Sequence, residues 1–180
     1  DVPAGGEQAL TLYYPTDHRG WLTLERLRVE TRFPLGWFQA WSLVDLDWQV
    51  LVYPMLDDTN IAPATNPDDD FFVWQRASNL FGWQSYLGGL FGQPDIPAYA
   101  AAARTVNLSG LPKTFMVVGD LDLFAGEDIL YAGNLIKAGV PTDLHVYAGV
   151  CHGFDGIAPT SAPAQRCKQE IEIFLQDIFS

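Results

Sequence analysis

His152 and Asp122 are the side chains whose types and spacing point to chemistry. His152 lies in AGVCHGFDG (148–156), a glycine-flanked bend after an apolar alternating run, and Asp122 lies thirty positions earlier in GDLDLF (119–124), just past another apolar run. An imidazole takes up a proton near neutral pH, and a carboxylate bonded to its second nitrogen sets the tautomer and stabilises the imidazolium that forms. The two together are the aspartate–histidine half of a nucleophilic hydrolase site. Taken alone, His152 reads first as a hydrogen-bonded loop histidine; the carboxylate partner is what favours catalysis. Asp120 competes for that role, but it sits tight against the strand end, whereas Asp122, one loop step further, reaches across to the next strand's loop.

Other reactive residue types carry weaker patterns. Cys151 adjoins His152, yet neighbouring side chains in extended or turning backbone point apart, so a cysteine–histidine pair is not expected. Cys151 and Cys167 have neither metal-ligand nor C-x-x-C spacing and read as free thiols. The Asp68–Asp70 cluster lacks the ligand alternation and turn glycine of a calcium loop and reads as acidic capping of a following helix. His18, in DHRGW, reads as a surface histidine.

The elements that must position Asp122 and His152 are legible as short apolar runs. WQVLVYP (48–54), TFMVVG (114–119) and DLHVYAG (143–149) read as strands of a parallel sheet. GEDILYAGNLIKAGVP (126–141), between the second and third, has the i, i+3, i+4 spacing of an amphipathic helix ending at glycine. The unit strand, helix, strand puts both candidate residues at the carboxyl ends of neighbouring strands, where ligands gather in open parallel sheets. FFVWQRASNLFGWQSYLGGLFG (71–92) and APAQRCKQEIEIFLQDIF (162–179) read as further helices. Upstream, Glu7–Pro15 and Trp21–Phe33 alternate about a TDHRG turn and predict an antiparallel pair, and 34–47 has no clean period. Residues 1–180 are expected to form a single α/β domain.

The stretches LVYPMLDD (51–58), FGWQSYLGG (81–89) and SGLPKTFMVVGDLDLFAGEDILYAGNLIKAGVPTDLHVYAGVCHGF (109–154) resemble the carboxyl half of the hormone-sensitive-lipase-like family of α/β-hydrolases, which are carboxylesterases and lipases. The resemblance runs almost continuously from about Trp48 to Phe179, and DVPAGGEQALTLYYP resembles that family's first strand. It implies an α/β-hydrolase fold, hydrolysis of small-molecule esters through an acyl-enzyme, short to medium acyl chains, and no cofactor. It matches Asp122 to the triad aspartate and His152 to the triad histidine.

Two family parts are missing from the pattern. None of Ser42, Ser78, Ser85, Ser109, Ser161 and Ser180 has glycine two places before and two places after it, so there is no G-x-S-x-G elbow. There is also no HGGG-type oxyanion segment. Ser42, in AWSLV, is nearest in order, but Leu43–Asp47 is too short for the helix that follows an elbow. The fold is therefore expected in shortened form, with Trp21–Asp47 in place of the usual block. The 48–54 strand then lacks its family neighbour, and its apolar edge offers pairing with a second copy.

Two functions compete on this evidence: an ester hydrolase with His152 as general base oriented by Asp122, and a non-catalytic ligand-binding or interaction protein on a degenerate hydrolase scaffold. For the second, Trp74, Phe81, Trp83 and Tyr86 are candidate pocket aromatics, although packing against the sheet is the first reading for most of them. Composition narrows the rest. With 48% hydrophobic and 18% charged residues the 180-residue chain is globular, and no run approaches the 18 or so apolar residues of a membrane span. A net charge of −12 repels phosphate backbones, which argues against nucleic acid. The chain opens on Asp1 with no basic segment leading an apolar one, as expected for a start inside a longer product or after a removed leader; the cytoplasm is the favoured compartment.

Overall fold

The three apolar runs become one parallel sheet. The computed structural model describes residues 27–31, 40–44, 48–61 and 71–179, and in it β3 (Trp48–Val52), β4 (Lys113–Gly119) and β5 (Thr142–Tyr147) pair in the order β3-β4-β5. Val50 sits opposite Phe115, and Val117 opposite both Val52 and His145. β4 is central and buried at every position from Thr114 to Gly119, which is why its apolar run is continuous rather than alternating.

The strand period of two divides the side chains between two helical layers. Trp48, Val50, Phe115, Val117 and Tyr147 pack against Ala164, Cys167 and Phe174 of α4 (Ala162–Phe179). Met116, with Leu51 and Leu144, packs on the other face against Tyr131, Ala132 and Leu135 of α2 (Ala125–Lys137). α1 (Arg76–Leu87) buries Trp83 and Leu87 against Ile96 and Ala101 in a separate cluster. The short α3 (Phe154–Ile157) directly follows the loop that carries His152. The expected helices at 71–92, 126–141 and 162–179 are thus present, as is the parallel sheet flanked by helices.

β1 (Leu27–Thr31) falls inside the expected 21–33 strand and pairs antiparallel with β2 (Ala40–Val44), Leu27 opposite Val44 and Val29 opposite Ser42. β2 lies in the stretch left unassigned, where aromatic crowding in WFQAWSLV hides the strand period. Ser42 is mid-strand rather than at a strand-to-helix turn. The expected Glu7–Pro15 strand, His18 and Asp68–Asp70 lie outside the described residues.

Candidate active site

Two loops, one from the end of β4 and one from the end of β5, are laced together at the sheet's carboxyl edge. Asp120 donates its N–H to Tyr147 O at 3.0 Å, and Leu121 donates to Val150 O at 3.2 Å. The Asp120 carboxylate accepts the Gly149 N–H at 2.7 Å. The seam is tight enough that a Cβ on Gly119 would stand 2.2 Å from Val150 O, so only glycine fits there.

Asp122 then turns inward. Its own N–H returns to Gly119 O at 3.2 Å, and its Oδ1 accepts the Phe124 N–H at 3.0 Å, which fixes the carboxylate plane as α2 begins. The remaining oxygen, Oδ2, lies 2.9 Å from His152 Nδ1. Both side chains are buried, at 2% and 7% exposure, so little water competes for this bond. With the proton on Nδ1 donated to the carboxylate, the lone pair of the neutral ring is on Nε2. Gly153 follows at φ +69°, a left-handed conformation that lets the chain leave the histidine and enter α3.

Among the described residues, three aromatic rings lie close to the imidazole. Tyr53 is 4.7 Å away, Phe124 5.4 Å and Trp74 5.7 Å between ring centroids. Tyr53 holds φ +36°, an unfavourable backbone conformation for a bulky residue, at the end of β3. Its hydroxyl donates to Asp155 Oδ1 at 2.7 Å, and burial, reinforced by that carboxylate, pushes the phenol far above its ordinary range. Tyr53 is therefore a neutral donor that ties β3 to α3 beneath the histidine.

The structure brings Asp122 and His152 together and gives Asp120 a different task, that of holding the loop that presents His152. Of the aromatics weighed from sequence, Trp74 reaches the imidazole. Trp83 is core, Tyr86 packs beside it at 6.2 Å, and Phe81 is half exposed. Sequence reading missed Tyr53 and Phe124; their signal is position, each at the carboxyl end of a strand or at the first step into a helix. Cys151 is half-buried and free, as is the buried Cys167, which burial pushes up to about 12. Among the described residues no group of histidine, cysteine and carboxylate side chains could hold a metal ion, and no helix is long and apolar enough to cross a membrane.

Helix α2 carries two further unusual carboxyls. Glu127 accepts from the backbone of Leu56 and Asp57 and from Asn60 Nδ2, yet burial outweighs these bonds and pushes it up to about 7. Asp128 is fully buried, and neither of its oxygens has a partner among the described residues. Burial, with Glu127 and Asp122 nearby, raises it well above its ordinary value and favours the neutral form. A cavity of about 310 Å³ is lined by Asp57, Arg104, Glu127 and Tyr131, and not by Asp122 or His152.

Comparison with known proteins bears on the family and the fold. Residues 34–156 match a family described by the alpha/beta hydrolase fold. Esterase LipI of Mycobacterium tuberculosis (strain ATCC 25618 / H37Rv) is 28% identical over 116 residues, which is 62% of this chain and 34% of that protein. The crystal structure of esterase LipW from Mycobacterium marinum superposes with a TM-score of 0.63 at 31% identity, covering 74% of this chain and 41% of that one. A bacterial heroin esterase gives a TM-score of 0.61 at 34% identity, covering 68% and 39%. The chain thus spans between about a third and two fifths of the length of these relatives. With more than half of its residues inside the family match and its parallel sheet superposing on those esterases, the chain belongs to the hormone-sensitive-lipase-like family of α/β-hydrolases.

Proposed function

We propose that this chain carries the acid–base half of a carboxylic ester hydrolase, with His152 as general base and Asp122 as the residue that orients it. In this reading Nε2 of His152 removes the proton from a nucleophilic hydroxyl as its oxygen attacks the ester carbonyl carbon. The imidazolium, stabilised by Asp122, then protonates the departing alkoxide. Water attacks the resulting acyl-enzyme with His152 again as base, releasing the acid and restoring the hydroxyl. The single observation that carries the proposal is the buried 2.9 Å pair at two neighbouring strand ends. The esterase relatives support the reaction class, and small-molecule esters are the substrates the reading implies.

The nucleophile and the oxyanion donors are the parts this chain does not identify, since none of its six serines sits in a G-x-S-x-G context. That observation favours a second reading, a ligand-binding protein on a hydrolase scaffold without turnover. One experiment separates them: the intact mass of the chain after incubation with a fluorophosphonate, alongside hydrolysis of short-chain p-nitrophenyl esters. The hydrolase reading expects a serine adduct and a rate that falls about 10²- to 10⁴-fold in His152→Ala, the range general-base catalysis contributes. A rate unchanged in both His152→Ala and Asp122→Asn would refute it, and ligand binding without an adduct would favour the second reading.

A further inference from the structure

We infer that the Glu127 carboxylate is a latch that closes the loop after β3 onto α2 and lets it go on protonation. Glu127 Oε1 accepts the N–H groups of Leu56 at 2.7 Å and Asp57 at 3.2 Å, while Oε2 accepts Asn60 Nδ2 at 2.7 Å. Among the described residues these are the hydrogen bonds that join residues 55–61 to α2, and all three end on one carboxylate. The loop's other polar anchors lead elsewhere. Ala103 donates its N–H to Leu56 O at 3.1 Å, and Arg104 holds the two Asp58 oxygens at 2.6 and 2.7 Å, both from the short helical turn Ala102–Arg104. Asn60 Nδ2 also donates to Leu123 O at 3.3 Å, before α2 begins, and the Asn60 carbonyl accepts from Asn79 Nδ2 of α1 at 2.6 Å. The cavity of about 310 Å³ lies along this junction. Asp57 and Arg104 belong to one wall and Tyr131 and Asn134 of α2 to the other, so Glu127 bridges the gap between a loop-and-turn unit and the helix. The Leu56 side chain, buried in one cluster with Tyr131, is the pivot on which that unit turns.

The charges around Glu127 make protonation accessible. Its three bonded partners are neutral N–H donors, and none is a cation. Across the cavity the Arg104 guanidinium is taken up by Asp58, so those two charges offset one another. Asp57 on the loop and Asp128, next in α2, are further carboxyls, and Tyr131, one turn on, is a phenol that burial raises and so keeps neutral. Burial, reinforced by Asp57, outweighs the three bonds and pushes Glu127 up to about 7. A protonated carboxyl carries an O–H where the carboxylate had a lone pair. On Oε2 that O–H meets the Asn60 N–H, and on Oε1 it meets the two backbone N–H groups. Donor faces donor in either case, and a bond across the junction is lost.

The test is an NMR titration of the full chain from about pH 5 to 9, following the Glu127 carboxyl carbon and the amide signals of Leu56 and Asp57. The expected result is one shared midpoint near 7, with both amides moving upfield as the pH falls and the carboxylate is lost as acceptor. Glu127→Gln, which has no proton to take up, is expected to abolish the amide transition. Asp57 is itself ionisable and carries one of the two amides, so Asp57→Asn is the second variant. Its amide oxygen keeps an acceptor for the Thr59 N–H and hydroxyl, and the transition is expected to persist at a lower midpoint because a negative neighbour is gone. If Glu127→Gln does not fold, the wild type and Asp57→Asn decide the question between them. A Glu127 carbon still ionised at the acid end, a carbon that titrates while both amides stay in place, a transition that survives in Glu127→Gln, or one that disappears in Asp57→Asn overturns the inference. The readout involves neither His152 nor ester turnover, so its failure is distinct from a failure of the hydrolase reading.

Discussion

Gly119→Ala probes the seam on which the site depends. The added methyl would lie 2.2 Å from Val150 O and 2.9 Å from Val150 C, both backbone atoms that cannot rotate away. An ordinary carbon–oxygen contact is about 3.3 Å or more, so the β5 loop must retreat by roughly 1 Å. The Asp122–His152 bond at 2.9 Å, the Asp120–Gly149 bond at 2.7 Å and the Leu121–Val150 bond at 3.2 Å all cross the same gap. Overpacking of this kind costs about 1–3 kcal/mol, and a bond to a buried charge adds about 1.5–3 kcal/mol when it is lost. The expected destabilisation is therefore about 2.5–6 kcal/mol, read as a lower midpoint of urea unfolding at unchanged slope. Gly133→Ala is the matched control: it lies inside α2 with nothing within 4 Å of the new methyl, and it is expected to stabilise by about 0.5–1 kcal/mol. Gly119→Ala unfolding at the wild-type midpoint would refute the claim that backbone proximity at this seam places His152.

Three other substitutions follow from buried polar groups. Burial raises the Asp128 pKa in the fold, while in the unfolded chain it ionises near 3.9; this group's contribution to stability is therefore lost as pH rises above about 4. Asp128→Asn removes that penalty, and its melting temperature is expected to exceed the wild type's by more at pH 8 than at pH 4; a pH-independent difference would contradict the assignment. Arg104 grips the buried Asp58 with two bonds, at 2.6 and 2.7 Å, so Arg104→Met strands a buried carboxylate and is expected to cost about 3 kcal/mol by urea unfolding. Tyr147 donates to Glu170 Oε2 at 2.6 Å, the oxygen that also meets His145 Nδ1, and Tyr147→Phe is expected to cost about 1.5–3 kcal/mol. No loss in the phenylalanine variant would mean that β5 is not tied to α4 by this bond.

The parts of the fold that were legible are those whose physics is local. TFMVVG reads as a doubly covered strand because burial on both faces demands an unbroken apolar run, and β4 is buried at each of those residues. The choice of Asp122 over Asp120 was a matter of reach past the strand end, and the 2.9 Å contact to His152 follows that reach. What stayed hidden depends on segments far apart in the chain. Tyr53, Trp74 and Phe124 converge on one imidazole from three elements, and no period or spacing in the sequence links them. Glu127 reads as an ordinary acidic residue near a helix start; only the fold brings the loop from Leu56 to Asn60 onto its carboxylate. β2 escaped because three aromatic residues among Trp37, Phe38 and Trp41 gave the stretch no alternating face to read.

The two aspartates of GDLDLF divide the work of presenting one histidine. Asp120 holds the β5 loop by the Gly149 backbone, and Asp122 holds the ring by Nδ1, with its second oxygen secured by the Phe124 N–H at the start of α2. The Asp120–Gly149 and Asp122–His152 contacts both join residues 119–124 to residues 147–153, the loops that follow the paired strands β4 and β5. A nucleophile has no such local support: it needs its own strained turn and its own backbone donors, which come from elsewhere in a hydrolase fold. The acid–base half is consequently the more autonomous half of the proposed reaction. That autonomy accounts for a well-formed buried pair in a chain whose six serines include no elbow.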